Sequence, residues 1–176
     1  FVLLTLGTGI GGAIVSGGRL VTGAYGKAGE LGHLAVAGDA PCGCGALGHA
    51  EALFGADALG RAFSEAGIEG DLPELWLRRG EPRLAPLWEK ALDALARLIA
   101  SVSHALDPQA VILGGGLSRG LGLVETLRPL VLRYTAPPFR ETFDLRLAAL
   151  GDDAALLGSA LGFALGSDLE FDQLCT

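Results

Sequence analysis

The stretch FVLLTLGTGIGGAIVSGGRLV, residues 1–21, sets the predicted architecture of this chain. Residues 1–6 are apolar and rich in strand formers, residues 13–15 resume a strand, and residues 19–21 add a third, with glycine turns between them. The stretch therefore predicts a three-strand meander. Residues 7–12 match the GxGxxG pattern of dinucleotide-binding folds, but that pattern needs a helix after the glycines, and a strand follows here. Two interpretations of this turn remain: a backbone nest that binds phosphate with the help of Thr8, or a plain hairpin.

The rest of the sequence alternates helices and strands. We expect helices over residues 51–66, 84–106, 118–134 and 154–165, a short irregular or helical piece after Asp71, and strands over residues 110–113 and 143–150. Pro137 and Pro138 are expected to end the third helix, and Asp152 or Asp153 to cap the fourth. A second glycine turn, Gly114, Gly115 and Gly116, follows the strand at 110–113 and either accommodates an adenosine or simply turns the chain. The pattern predicts a single α/β domain over residues 1–176.

Composition excludes several classes of function. Half of the residues are hydrophobic and 19% are charged, which favours a folded core over disorder. The net charge of −7 argues against a surface for nucleic acid. The sequence contains no run of 18 apolar residues, so we expect no membrane span. Two of the three Cys lie close together and Cys175 stands alone, which is no disulfide framework and favours the cytoplasm.

Residues 29–51 concentrate the side chains that bind metals and polar ligands. His33, Cys42, Cys44 and His49 offer four ligands at a spacing that can close a tetrahedral zinc site. A site with four protein ligands leaves no position for water, which favours a structural zinc over a catalytic one. Alternatively, the site has decayed and His49 is a surface residue. The carboxylates of Glu30 and Glu51 can accept hydrogen bonds from hydroxyl groups, or they are solvated charges. His104 is interpreted as a residue of a helix C-terminus and not as a ligand.

Four motifs together resemble those of the ROK family (repressor, open reading frame, kinase): TLGTGIGG at residues 5–12, the loop GELGH…CGCGALGHAE at residues 29–51, ILGGGLS at residues 112–118 and GDDAALLG at residues 151–158. The resemblance implies an actin-like ATPase (ribonuclease H-like) domain with a zinc-binding loop. It assigns ATP binding to Gly7, Thr8, Gly9, Gly114, Gly115 and Gly116. It assigns sugar binding to Glu30, His33 and Glu51. It assigns the binding of a structural zinc to His33, Cys42, Cys44 and His49. The family normally has Cys at the position of His49.

The same resemblance implies the C-terminal part of a glucokinase-like hexose kinase that uses Mg²⁺ and ATP and forms homo-oligomers. The sequence opens within a strand and contains no Met, so we expect the N-terminal half to be missing. ROK kinases carry their catalytic Asp upstream of the first glycine motif, and no Asp precedes Asp39 here. We therefore expect no catalytic residue in this chain and no turnover by it alone. The alternatives are the effector domain of a ROK repressor and a zinc-stabilised sugar-binding module. The kinase-like form of residues 5–9 favours the enzyme.

Overall fold

The computed structural model describes residues 1–120 and 122–151. The predicted helix over residues 154–165, residues 152–158 of the fourth motif, and Cys175 lie outside this part of the chain.

Five strands form one mixed sheet in the order β3-β2-β1-β4-β5. Their bounds are β1 Val2–Leu6, β2 Ile10–Ser16, β3 Arg19–Leu20, β4 Val111–Gly114 and β5 Leu145–Leu147. Neighbouring strands in the predicted meander β1-β2-β3 are antiparallel, whereas β4 joins β1 in parallel and β5 joins β4 in parallel. The meander is confirmed, but the turn is shorter than predicted: Ile10 already pairs with Leu6, and Gly11 and Gly12 lie within β2.

The helices are α1 Ala56–Glu65, α2 Leu72–Leu77, α3 Ala85–Leu106, α4 Leu123–Tyr134 and α5 Pro137–Arg140. The predicted helix over residues 51–66 is wrong at its start, because a 3₁₀ turn, Ala50–Ala52, comes first and Gly55 is extended. The helix predicted from residue 118 likewise begins with a 3₁₀ turn, Gly116–Arg119. Helix α4 ends at Tyr134, before Pro137 and Pro138 as predicted, and these prolines begin α5, since proline is well suited to a first helical turn. β5 is shorter than the strand predicted over residues 143–150.

The long helix α3 is the centre of the core. Its buried face includes Leu95, Leu98 and Ile99, which belong to one apolar cluster with Leu4 and Leu6 of β1. The helix ends at Leu106, and His104 in its last turn accepts a hydrogen bond at Nε2 from the backbone N–H of Ala136 (2.9 Å). In residues 1–120 and 122–151, no helix has both the length and the apolar character needed to cross a membrane.

Candidate functional site

The two glycine turns lie side by side at the carboxyl ends of the parallel strands β1 and β4. Thr5 of β1 pairs with Gly114 of β4. Gly115 follows with a φ of 83°, and a Cβ at this residue would stand 2.5 Å from the carbonyl oxygen of Leu6. Only glycine fits this approach. The fold therefore brings the two turns predicted for ATP to one edge of the sheet, which is where open α/β sheets bind ligands.

The first turn is held against the start of α1. Its Gly7 N–H donates to the carbonyl oxygen of Gly9 (3.0 Å). The carbonyl groups of Gly7 and Thr8 accept from the backbone N–H groups of Ala56 (2.8 Å) and Asp57 (3.2 Å). Thr8 itself is exposed. The turn is thus fixed by its carbonyl groups while the Thr8 side chain faces solvent.

An apolar groove of about 370 Å³ lies beside the second turn. Gly116, Leu117 and Gly120 form one wall, and Trp76 on α2 lines the groove with them. A Cβ at Gly120 would lie 3.1 Å from Nε1 of Trp76, so helix α2 packs closely against this turn. The sequence reasoning missed this groove. The one sequence signal for the groove was the short apolar segment after Asp71. The carboxylate of Asp71 caps α2 by accepting a hydrogen bond from the Glu74 N–H (2.8 Å).

The loop after β3 folds back on itself through two isolated β-bridges, Ala35 with His49 and Pro41 with Leu47. This fold brings His33, Cys42, Cys44 and His49 together, with one ligand atom of each within 4.8 Å of the others. The Nδ1 atoms of His33 and His49 are 2.9 Å apart, and Sγ of Cys44 is 3.3 Å from Nδ1 of His49. The four predicted ligands therefore form one cluster, and His49 is part of it.

The donor set suits zinc. Two thiols and two imidazoles are the ligands of many structural zinc sites, in which Zn–S is about 2.3 Å and Zn–N about 2.0 Å. A tetrahedron with these bonds separates sulfur atoms by about 3.8 Å. The four ligand atoms, which lie within 4.8 Å of one another, would therefore need only small shifts to surround an ion. Burial raises the pKa of the Cys42 thiol, and the Cys44 side chain and Glu51 raise it further, whereas a hydrogen bond from the Cys44 backbone lowers it.

The structure places the predicted sugar ligands on two sides of this cluster. Glu30 is exposed, and its Oε2 lies 3.8 Å from Nε2 of His33. The two nitrogens of His33 thus face different groups: Nδ1 faces His49 and Nε2 faces Glu30. Glu51 is half-buried, and its Oε2 accepts a hydrogen bond from the Ile10 N–H (2.9 Å). Its Oε1 lies 3.9 Å from Sγ of Cys42.

Glycines allow the segment that carries Glu30 and His33 to pack directly on β2. A Cβ at Gly32 would stand 2.2 Å from the carbonyl oxygen of Ile10. Gly12 and Gly29 face each other as closely, with a Cβ at Gly12 only 2.4 Å from the Gly29 carbonyl oxygen. The backbone of this segment therefore packs directly on the backbone of β2, which fixes the distance of Glu30 and His33 from the sheet.

The chain has a mixed α/β sheet, and it shares its fold with solved ROK sugar kinases, whose fold is that of the actin-like ATPases. The chain belongs to the ROK family, whose sequence model matches residues 1–164.

Two relatives show the level of similarity. A glucokinase of Thermotoga maritima is 38% identical over 178 residues, covering 90% of this chain and 56% of the relative. An N-acetylmannosamine kinase of Shigella boydii is 37% identical, covering 91% and 55%. The chain thus spans about half the length of the curated relatives it matches.

Solved structures agree with this assignment. The ROK hexokinase of Thermus thermophilus has a TM-score of 0.80 at 40% identity, covering 91% of this chain and 55% of that one. A ROK glucokinase of Streptomyces griseus, in complex with glucose and AMPPNP, has a TM-score of 0.75 at 30% identity, covering 90% and 58%. A ROK transcriptional regulator, a homologue of the E. coli MLC protein, shares the fold with a TM-score of 0.74 at 22% identity, covering 91% and 44%.

Proposed function

We propose that this chain is the C-terminal part of an ATP-dependent hexose kinase that transfers the γ-phosphate of ATP to a sugar hydroxyl. One observation carries the proposal: Glu51 joins the Cys/His loop to the first glycine turn through its hydrogen bond to Ile10. A sugar held by the loop and a phosphate held by the turn would thereby be neighbours. The printed names of the relatives, glucokinase and N-acetylmannosamine kinase, support a hexose as acceptor.

ATP, as its Mg²⁺ complex, would bind along the edge where the two glycine turns meet. Thr8 offers a hydroxyl, and the backbone at Gly7 and Gly9 lets phosphate oxygens approach without side-chain obstruction. Gly114, Gly115 and Gly116 would lie under the nucleoside, with the groove beside Gly116 to receive its apolar face. Phosphoryl transfer depends mainly on positioning and on charge stabilisation, which a rigid edge of this kind supports.

The loop would hold the sugar and be held in turn by zinc. Glu30, His33 and Glu51 are the proposed acceptors for sugar hydroxyls, and Glu30 with 69% of its side chain exposed is the most accessible of them. When bound to His33, Cys42, Cys44 and His49, zinc supplies a rigid crosslink and no open coordination position. The same loop would be a substrate-shaping element and not a centre of catalysis.

We place the catalytic Asp and the first phosphate loop in the part of the relatives that this chain does not cover. The chain would then bind and orient both substrates without the base that accepts the hydroxyl proton. It would not turn over alone. Its homo-oligomeric state and its cytoplasmic location stay predictions.

Phosphorylation of a hexose panel tests the kinase. We expect ATP-dependent product from a full-length protein that contains this chain and none from the 176 residues alone. Product from the isolated chain would contradict the assignment of the base, and the absence of product from the full-length protein with every hexose would contradict the kinase. The second candidate is the effector domain of a ROK repressor, because a regulator shares the fold. Sugar-sensitive DNA binding by the full-length protein would support it.

Metal analysis tests the zinc site separately. We expect one zinc per chain in the native protein and well under one in Cys44→Ser. The matched control is Cys175→Ser, which removes a thiol outside the loop and should leave the zinc content unchanged. Equal loss in both variants, or no zinc in the native chain, would contradict the site.

A further inference from the structure

We propose that metal binding in the loop and nucleotide binding at the first glycine turn are thermodynamically coupled, with Glu51 as the positioning residue between them. The inference rests on the proposed function, because it takes the Cys/His cluster as a metal site and residues 7–9 as a phosphate site. It adds that the metal and the nucleotide raise each other's affinity, although no side chain is proposed to bind both of them.

The first link is the Glu51 carboxylate. Its Oε2 accepts from the Ile10 N–H at the exit of the turn (2.9 Å), and its Oε1 faces the Sγ atom of Cys42 at 3.9 Å. One side chain therefore contacts both the metal cluster and the backbone of the turn. A metal bound to Cys42 fixes the Sγ atom that this carboxylate faces, which restricts the positions open to Glu51.

The second link is the backbone that follows His49. Ala50 is fully buried and its N–H donates to the carbonyl oxygen of Leu34 (3.0 Å), within the metal loop. Seven residues further along, the N–H group of Asp57 donates to the carbonyl oxygen of Thr8 (3.2 Å). Between them, a Cβ at Gly55 would stand 2.8 Å from the same Thr8 oxygen. The segment of residues 50–57 therefore connects the loop to the turn over its whole length.

Gly9 makes the turn sensitive to the position of Glu51. A Cβ at Gly9 would lie only 2.0 Å from Oε2 of Glu51, so the carboxylate rests directly on the backbone of the turn. A metal that binds Cys42 and His49 restrains both residues, of which Cys42 faces Glu51 and His49 directly precedes residues 50–57. Through these contacts we expect a bound metal to restrain the turn and so to lower the entropy cost of ordering it around a nucleotide.

Coupling of this kind is reciprocal: a metal that raises nucleotide affinity is itself bound more tightly in the presence of nucleotide, by the same factor. We expect a factor of at least about five, the lower end of the usual range. In Glu51→Ala the factor should fall to about one, although all four metal ligands remain. Glu65→Ala is the matched control, because it removes an exposed carboxylate at the end of α1.

Amide hydrogen exchange on the chain with one equivalent of Zn²⁺, and again after chelation, tests the link without any nucleotide. We expect zinc to protect Thr8, Ile10 and Asp57 in the native chain and in Glu65→Ala, but not in Glu51→Ala. Zinc affinity measured with and without Mg²⁺-ATP should then differ at least fivefold, again only where Glu51 is present.

The outcomes separate the two proposals. Zinc binding with unchanged exchange in residues 7–10 overturns the coupling and leaves the metal site standing. An affinity ratio in Glu51→Ala equal to that of the native chain overturns the role of Glu51. A chain that binds no zinc overturns the metal site and the coupling together.

Discussion

Replacement of Gly32 by alanine tests how the loop carrying Glu30 and His33 is held on the sheet. The new Cβ would stand 2.2 Å from the carbonyl oxygen of Ile10 and 2.9 Å from its Cβ. Ordinary contact needs about 3.4 Å, so one side must move by about 1 Å. Ile10 is paired with Leu6 in the sheet, which prevents its backbone from moving. The displacement therefore falls on the loop.

The expected cost is that of overpacking a buried site, about 2 kcal/mol of unfolding free energy. For a domain of this size this lowers the melting temperature by about 4–8 °C. Because His33 moves with Gly32, zinc affinity should fall as well. The matched control is Gly60→Ala in α1, where a Cβ meets nothing within 4 Å and should stabilise the helix by about 0.5–1 kcal/mol.

Thermal unfolding and zinc titration of both variants give the result. If Gly32→Ala melts within about 1 °C of the native chain and binds zinc equally well, the close packing of this loop on β2 is refuted. A loss of stability without a loss of zinc affinity would refute only the rigid connection between Gly32 and His33.

Three further substitutions test the core and the helix contacts. Tyr134→Phe removes the hydroxyl that donates to Asp93, whose pKa is lowered because hydrogen bonds from Tyr134 and Arg97 outweigh the effect of burial. The variant should lose about 1 kcal/mol of unfolding free energy at pH 7, measured by urea unfolding. This loss should shrink as the pH falls through the lowered pKa of Asp93, because a protonated Asp93 gains less from the hydrogen bond. A loss that does not depend on pH would contradict this reasoning. Asp71→Ala should cost about 1 kcal/mol of unfolding free energy through loss of the α2 cap, whereas Asp71→Asn should retain most of the stability because Asn also caps helices. Equal losses in the two variants would argue against capping. Leu98→Ala, at a fully buried position of α3, should cost about 2–5 kcal/mol by thermal unfolding, and a cost under about 1 kcal/mol would show that the site collapses around the gap.

Local patterns were enough to predict the meander and the long helix α3. The apolar residues of α3 recur at helical intervals over 22 residues, and no glycine or proline interrupts them after the first turn. The start of α1 was predicted wrongly because Gly55 must pack against Thr8, a contact 47 residues away in sequence that no local pattern reveals. Propensity gives way to tertiary packing at such points.

The site shows the same division. The cluster of His33, Cys42, Cys44 and His49 could be predicted because all four lie in one loop, and their short spacing limits how far apart they can be. The hydrogen bond from Ile10 to Glu51 could not, since it joins residues 41 apart. Trp76 was missed for the same reason: α2 is short, and its place beside Gly120 depends on how the whole domain packs.

The place of the Cys/His loop in the chain determines how freely the loop can vary. Sheet register depends on β1 with β2 and on β1 with β4, and the loop leaves the sheet after Leu20 and rejoins the domain at α1. Its length and sequence can therefore vary without shifting a strand pair, provided that the residues contacting β2 and the first glycine turn are kept: Gly29, Gly32, Glu51 and Gly55. Strand pairing and the Cys/His loop are thus separate parts of the fold, so changes in the loop away from these contacts leave the sheet as it is.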